Sequence, residues 1–205
     1  MAASDSDISI CSEALILLGA SAISSFSEGT PAATACSALY PGLRDTLVSK
    51  HPWSWSLKKT QSFRLSTDPT NEWKYAYQLP ADMLSGAIAV FTSGGDNAQS
   101  VNYGWEIYED KLYTNFDTIY LDYQFSVAEA KMPRYFVKLL VTALASDLAI
   151  VVTDQASKAD YFRNLAYGTP GENGRGGLFR ESVNIDSRGQ INKSFDDFTL
   201  IEVRY

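Results

Sequence analysis

Histidine is almost missing from this chain of 205 residues, with His51 the single example, and cysteine occurs only twice, as Cys11 and Cys36. Nucleophilic systems that need a histidine base therefore have to use His51, which sits beside Pro52-Trp53 at a predicted helix end. That setting suits a partly buried ring or a cation at a helix C-terminus better than a catalytic base. Two cysteines cannot build a disulfide scaffold or a zinc site, and both fall on predicted apolar helix faces, where small buried hydrophobes are expected.

Positive charge is scarce as well. The formal net charge is −7, no Lys or Arg precedes Arg44, and no basic run of five occurs. Affinity for nucleic acid rests on neutralising phosphates, so a DNA-reading role is excluded, although an acidic surface suits a channel through which DNA slides without sticking. The N-terminus lacks the basic region of a signal peptide, and its apolar run Leu15–Leu18 is short. A longer apolar stretch, residues 136–152, is interrupted by Lys138, Thr142, Ser146 and Asp147, which argues against a membrane span. These features place the chain in a cytosol, or in an assembly built there.

What is present is globular: 45% hydrophobic and 20% charged residues support a sizeable core. The pattern predicts helices over 7–18, 31–50, 133–152 and 155–167. Gly19 stops the first, Thr30-Pro31 starts the second, Pro41-Gly42 should kink or split it, Pro133 opens the third and Asp154 caps the fourth. Their expected core includes Leu15, Leu18, Leu39, Leu43, Leu140 and Leu144. Between the second and third helices the apolar period falls from 3.6 to 2. Five strands are expected there, around Phe63–Leu65, Trp73–Leu79, Ala87–Phe91, Trp105–Tyr113 and Ile119–Val127, forming a small sandwich or open barrel. The class is α+β: an antiparallel helical bundle with an inserted small antiparallel β-domain and an extended C-terminal tail. The corresponding parts are residues 1–58, 59–128, 129–168 and 169–205.

Residues 169–177, rich in glycine and lacking the Lys-Ser or Lys-Thr of a phosphate loop, read as a flexible linker. Beyond them, Phe195, Phe198, Leu200, Ile201 and Val203 form an apolar cluster that can add a strand to another sheet edge. The expectation is that residues 178–205 reach to a neighbouring subunit or other partner; the alternative is that they fold back on their own β-domain. Glu106, Glu109 and Asp110 lie close in sequence, and paired acids are what glycoside hydrolysis needs, but acids on a strand and turn are expected for solvation alone. Lys58-Lys59, with Lys50 and Arg64 nearby, form a small basic spot, a solvated face or a dock for an acidic partner.

The order of segments is the most specific signal. Ala14-Leu15-Ile16-Leu17-Leu18-Gly19 is followed by Ile23-Ser24-Ser25-Phe26-Ser27-Glu28-Gly29-Thr30, then Tyr40, Arg44-Asp45, Leu47, His51-Pro52-Trp53-Ser54-Trp55 and Tyr77-Gln78-Leu79-Pro80-Ala81-Asp82. Over residues 7 to 90 this series resembles the tail tubular protein A family of head–tail adaptors from short-tailed bacteriophages. The likeness is looser from Trp105 to Gly168, and Pro41-Gly42 and Ser56 depart from the family pattern. The resemblance implies a non-enzymatic virion protein without cofactor or metal. It implies a closed ring of about twelve copies, joined through heterologous interfaces, with DNA passing through the lumen. The portal protein would lie above the ring and the tail nozzle protein, of tail tubular protein B type, below it. Arg44, paired with Asp45, is expected to reach Glu28 or a neighbouring subunit. Arg44, Lys58, Lys59, Phe195, Phe198, Leu200, Ile201 and Val203 are the candidate contacts. Two other readings are a head-completion connector of a long-tailed phage and a virion-associated wall hydrolase; the hydrolase would need acids converging in a cleft. From the charge alone, the isolated protein is expected not to retard duplex DNA in a gel shift even at low salt. Tight, salt-sensitive binding would contradict a passive channel.

Overall fold

Each helix begins and ends where local chemistry requires. In the computed structural model, which describes residues 5–95 and 98–188, helix α1 (Asp7–Leu18) is capped by Ser6, whose side chain accepts from Ser9 N, and stops at Gly19 in the left-handed region. Helix α2 (Pro31–Ser49) starts on the Thr30 cap with Pro31 at its first position. Pro41 does not split it: the helix is assigned without a break, and the lost hydrogen bond falls on the exposed side around Ser37 and Ala38. Helix α3 (Arg134–Thr153) follows Pro133 and ends at Asp154 in the left-handed region, so Asp154 closes α3 and Gln155 precedes α4 (Ala156–Tyr167).

A fifth helix, α5 (Gly177–Ser187), corrects the expected linker and detached tail. Thr169 caps a short turn in which Glu172 reaches back to the Thr169 backbone, and Gly176 N donates to Tyr167 O at 2.8 Å. A Cβ on Gly176 would collide with the Glu172 carboxylate, and one on Gly177, at φ +52°, with the Leu165 carbonyl. These glycines serve close packing of α5 on α4 rather than flexibility. Leu178 and Phe179 are buried in the shared core. Residues 178–188 therefore belong to the bundle. The later candidates Phe195, Phe198, Leu200, Ile201 and Val203 lie outside the described residues.

Helix α3 is the centre of the bundle, packed by α1, α2, α4 and α5. Its length and mean hydropathy of 2.0 would suit a membrane span, but 61% of that apolar window is buried within the protein, as for a core helix. Its polar interruptions are satisfied: Thr142 Oγ1 donates to Lys138 O at 2.8 Å and Ser146 Oγ to Ala159 O at 3.2 Å. Leu15, Leu18, Leu140 and Leu144 are buried as expected, Leu43 is partly buried, and Leu39 is instead exposed. Cys36, Tyr40 and Leu47 set the buried stripe of α2, and Leu39 falls one position to its side.

Between α2 and α3 the described residues form seven short strands rather than five. They are β1 (Leu57–Ser62), β2 (Tyr75–Gln78), β3 (Ala89–Phe91), β4 (Ser100–Val101), β5 (Trp105–Tyr108), β6 (Lys111–Thr114) and β7 (Ile119–Gln124). The antiparallel sheets have the orders β1-β7-β3-β4 and β2-β6-β5. Trp105–Tyr113 divides because Glu109, at φ +54°, and Asp110 form a two-residue turn between β5 and β6. The strand expected at Phe63–Leu65 ends at Ser62, leaving Phe63 79% exposed. Tyr77 and Leu112 of one sheet meet Val90, Ile119, Leu121 and Tyr123 of the other in a second, small core, so the alternation read in Ile119–Tyr123 is the inward face of a sandwich.

Leu140→Ala is expected to cost about 2–5 kcal/mol in chemical denaturation, and Phe179→Ala about 3–5 kcal/mol. Leu39→Ala should cost below about 1 kcal/mol, as an exposed site does. A Phe179→Ala variant as stable as its parent would return α5 to the status of a detached tail.

Candidate interaction surfaces

The helical part meets the β part at His51-Pro52-Trp53-Ser54-Trp55, where α2 ends and a short 3-10 turn leads into β1. Trp53 is fully buried. Its Nε1 donates to Leu47 O at 3.1 Å, and its ring lies 5.1 Å from Phe136 and 5.9 Å from Phe179, both edge-on. His51 stacks edge-on against Trp53 at 4.8 Å. Burial lowers its pKa, with Asp186 pulling the other way, so the ring is neutral at pH 7 rather than a helix-end cation. Asp186 of α5 is 5% exposed and fully engaged: it accepts from Ser54 N at 2.9 Å, Ser54 Oγ at 2.7 Å and Tyr135 Oη at 2.7 Å. Burial, then the Asp186 hydrogen bond, pushes the Tyr135 phenol up. On the other side of the junction the buried Gln124 side chain donates to Val48 O at 2.9 Å and Ser56 Oγ at 3.1 Å.

Arg44 pairs with Glu129 and Asp45, not with Glu28. Its Nη1 lies 2.9 Å from Glu129 Oε1 and its Nε 2.9 Å from Asp45 Oδ1, and Tyr40 Oη donates to the same Glu129 oxygen at 3.1 Å. Glu28 is occupied locally, accepting from Ser24 N at 3.0 Å and Thr30 Oγ1 at 2.8 Å. Lys58 pairs with Asp82 at 3.0 Å and Lys59 with Asp122 at 3.5 Å. Both stand on β1, an edge strand, where half-exposed lysines also guard against edge-to-edge pairing. Arg64 pairs with Asp117 at 3.6 Å, whereas Lys50 lies over the Tyr167 ring at 4.2 Å. With His51, Arg175 and Arg180, Lys50 also lines a cavity of about 310 Å³. The basic spot read in the sequence is thus divided among three separate ion pairs and the Lys50–Tyr167 contact.

The three acids considered for hydrolysis lie on the exposed β5–β6 hairpin. Glu106 accepts from Tyr108 Oη at 2.6 Å and Trp73 Nε1 at 3.2 Å, and Asp110 from Gln78 Nε2 at 2.9 Å. Hydrogen bonding from Gln78 holds the Asp110 carboxyl below its ordinary value. The thiols of Cys11 and Cys36 are free and buried; the hydrogen bond between them, and then burial, push Cys11 up.

Large apolar side chains are exposed in three regions among the described residues. On the β part Phe63 and Tyr103 are 79% and 78% exposed; at the C-terminal end of α3, Ile150 and Val151 are also largely exposed. A third region is a groove of about 700 Å³ over α3, walled by Ile16 and Leu17 of α1 and by Tyr161 and Leu165 of α4. None of these was singled out from the sequence. The signals were the run Leu15–Leu18, apolar on more than one face, and Tyr161 and Leu165, one position to the side of the buried Phe162 and Ala166. No family model matches the chain, and no curated protein matches it.

The Arg44–Glu129 contact sets a pH dependence. Burial disfavours the Glu129 charge, but hydrogen bonds from its own backbone, Arg44 and Tyr40 outweigh it and hold the carboxyl below its ordinary value of 4.5. A carboxyl depressed by folding contributes stability above the unfolded value, which is lost as pH falls through the folded one. Glu129→Gln is expected to cost about 1–3 kcal/mol at pH 7. The difference from the parent should shrink below about pH 4.5. A difference independent of pH would remove the ion pair from the account.

Proposed function

We propose that this protein is a structural head–tail adaptor of a short-tailed bacteriophage, acting as a ring of about twelve copies and without catalysis. In this reading the ring sits in the virion between portal and tail nozzle, and its acidic lumen passes DNA without binding it. The observation that carries the proposal is that large apolar side chains are exposed in two separate parts of one subunit. Phe63 and Tyr103 lie on the β part, Ile150 and Val151 at the end of α3. Phe136, near the start of α3, packs on Trp53 and Trp55 at the junction. Val151 is about 22 Å along the helix axis from it. A ring needs two different mutually complementary patches per subunit, because a self-complementary patch closes at a dimer. The residue series from 7 to 90 that resembles tail tubular protein A supports the same reading, as does the formal charge of −7.

Phe63→Asp and Val151→Asp are each expected to leave the melting temperature near the parental value while abolishing rings, read by mass photometry with and without portal. An equimolar mixture of the two variants keeps one intact interface and should give 1:1 dimers that grow no further. Rings from either single variant, or a mixture that stays monomeric, would sink this assignment.

A further inference from the structure

A broad apolar groove lies over α3 on the helical part. Ile16 and Leu17 form one wall, Tyr161 and Leu165 the other, and Val137 and Val141 the floor. Its volume of about 700 Å³ falls within the roughly 300–1,000 Å³ of sites that enclose a ligand. Arg134 and Lys138 stand at its rim, with Glu13 on the α1 side.

Helix α5 delivers the chain to one end of this groove. Ser182 Oγ donates to Tyr135 O at 3.2 Å and Asp186 accepts from Tyr135 Oη at 2.7 Å, so the last turns of α5 lie beside Tyr135. Arg134 and Val137, which line the groove, flank Tyr135 on α3. From Arg188 to Phe195 the chain reaches at most about 23–25 Å. The groove, followed along α3 from Arg134 to Thr142, is about 12 Å long. The sequence then offers Phe195, Phe198, Leu200, Ile201 and Val203 with Asp196 and Asp197 among them. That is apolar anchors for the walls and acids for the rim, where Lys138 stands beside Arg134, itself paired with Asp5 at 2.9 Å.

We infer that the groove between α1 and α4 is the docking site of residues 195–203 of the same chain. A short tether holds that segment at millimolar effective concentration beside the groove, far above what a free partner reaches in dilute solution. The inference concerns the isolated chain and does not draw on the ring assignment.

The test uses the full chain carrying Tyr161→Cys and Leu200→Cys; the native Cys11 and Cys36 are fully buried. At low micromolar protein with oxidised glutathione, the expected product is an intramolecular disulfide, seen as a faster-migrating monomer on a non-reducing gel. Adding Leu17→Glu to the groove wall should slow its formation at least tenfold, which a freely moving tail would not show. Hydrogen exchange on the unsubstituted full chain gives a readout independent of the cysteines. Amides at 198–203 should exchange at least tenfold slower than unstructured peptide and lose that protection in Leu165→Glu. Disulfide-linked dimers would assign the groove to a second copy and overturn the inference. A linking rate indifferent to Leu17→Glu, or unprotected amides at 198–203, would overturn it too.

Discussion

Trp53 is the point on which both halves of this molecule depend. Its indole is fully buried where α2 gives way to β1, hydrogen-bonded to the last turns of α2 and packed edge-on by Phe136 of α3 and Phe179 of α5. Three helices distant in sequence are thereby fixed to the segment that launches the sheets. Burying an indole there is favourable only because Nε1 has an acceptor; without Leu47 O the same ring would carry an orphaned donor into the core. The neighbouring Ser54 backbone is held by Asp186, so the aromatic cluster and the buried carboxylate fix the same few residues from two directions.

Where the apolar period matched the burial pattern, the fold was legible. Helix α1 buries Ile10, Cys11, Ala14, Leu15 and Leu18, and the capping signals at Thr30, Gly19 and Pro133 mark real boundaries. Helix α5 uses the same spacing, with Leu178, Phe179, Ser182 and Asp186 buried and Val183 partly so. It escaped sequence reading because two of those positions are polar and its start is rich in glycine. A hydrophobicity pattern does not register a buried face whose partners are hydrogen-bond donors. The tertiary acceptors and donors that make Ser182 and Asp186 interior residues come from Tyr135 and Ser54, more than forty positions away.

The candidate contacts show a similar split. Arg44 was expected to reach Glu28 or a neighbouring subunit; its partner within the chain, Glu129, lies across the β insertion, a distance no local pattern conveys. The lysines on β1 read as one spot because they are adjacent in sequence; on a strand, adjacent residues point to opposite faces, and each found its own carboxylate. The apolar surfaces went unmarked for the opposite reason. An exposed leucine and a buried one look alike in a sequence, and only the packed bundle separates Leu15 from Leu17.

The pairing of β1 with β7 has a consequence for how the chain reaches this state. Leu57 lies opposite Gln124, so the first and last strands of the insertion leave the helical part side by side. Until they pair, bringing α2 against α3 means closing a loop of 84 residues, 50–133; once they pair, only residues 50–56 and 125–133 lie between the helices and the ladder. The α2–α3 contact is thus short-range or long-range depending on whether the sheet has already zipped. The β-ladder is therefore the non-local step of this topology, and pairing of that kind is what slows folding.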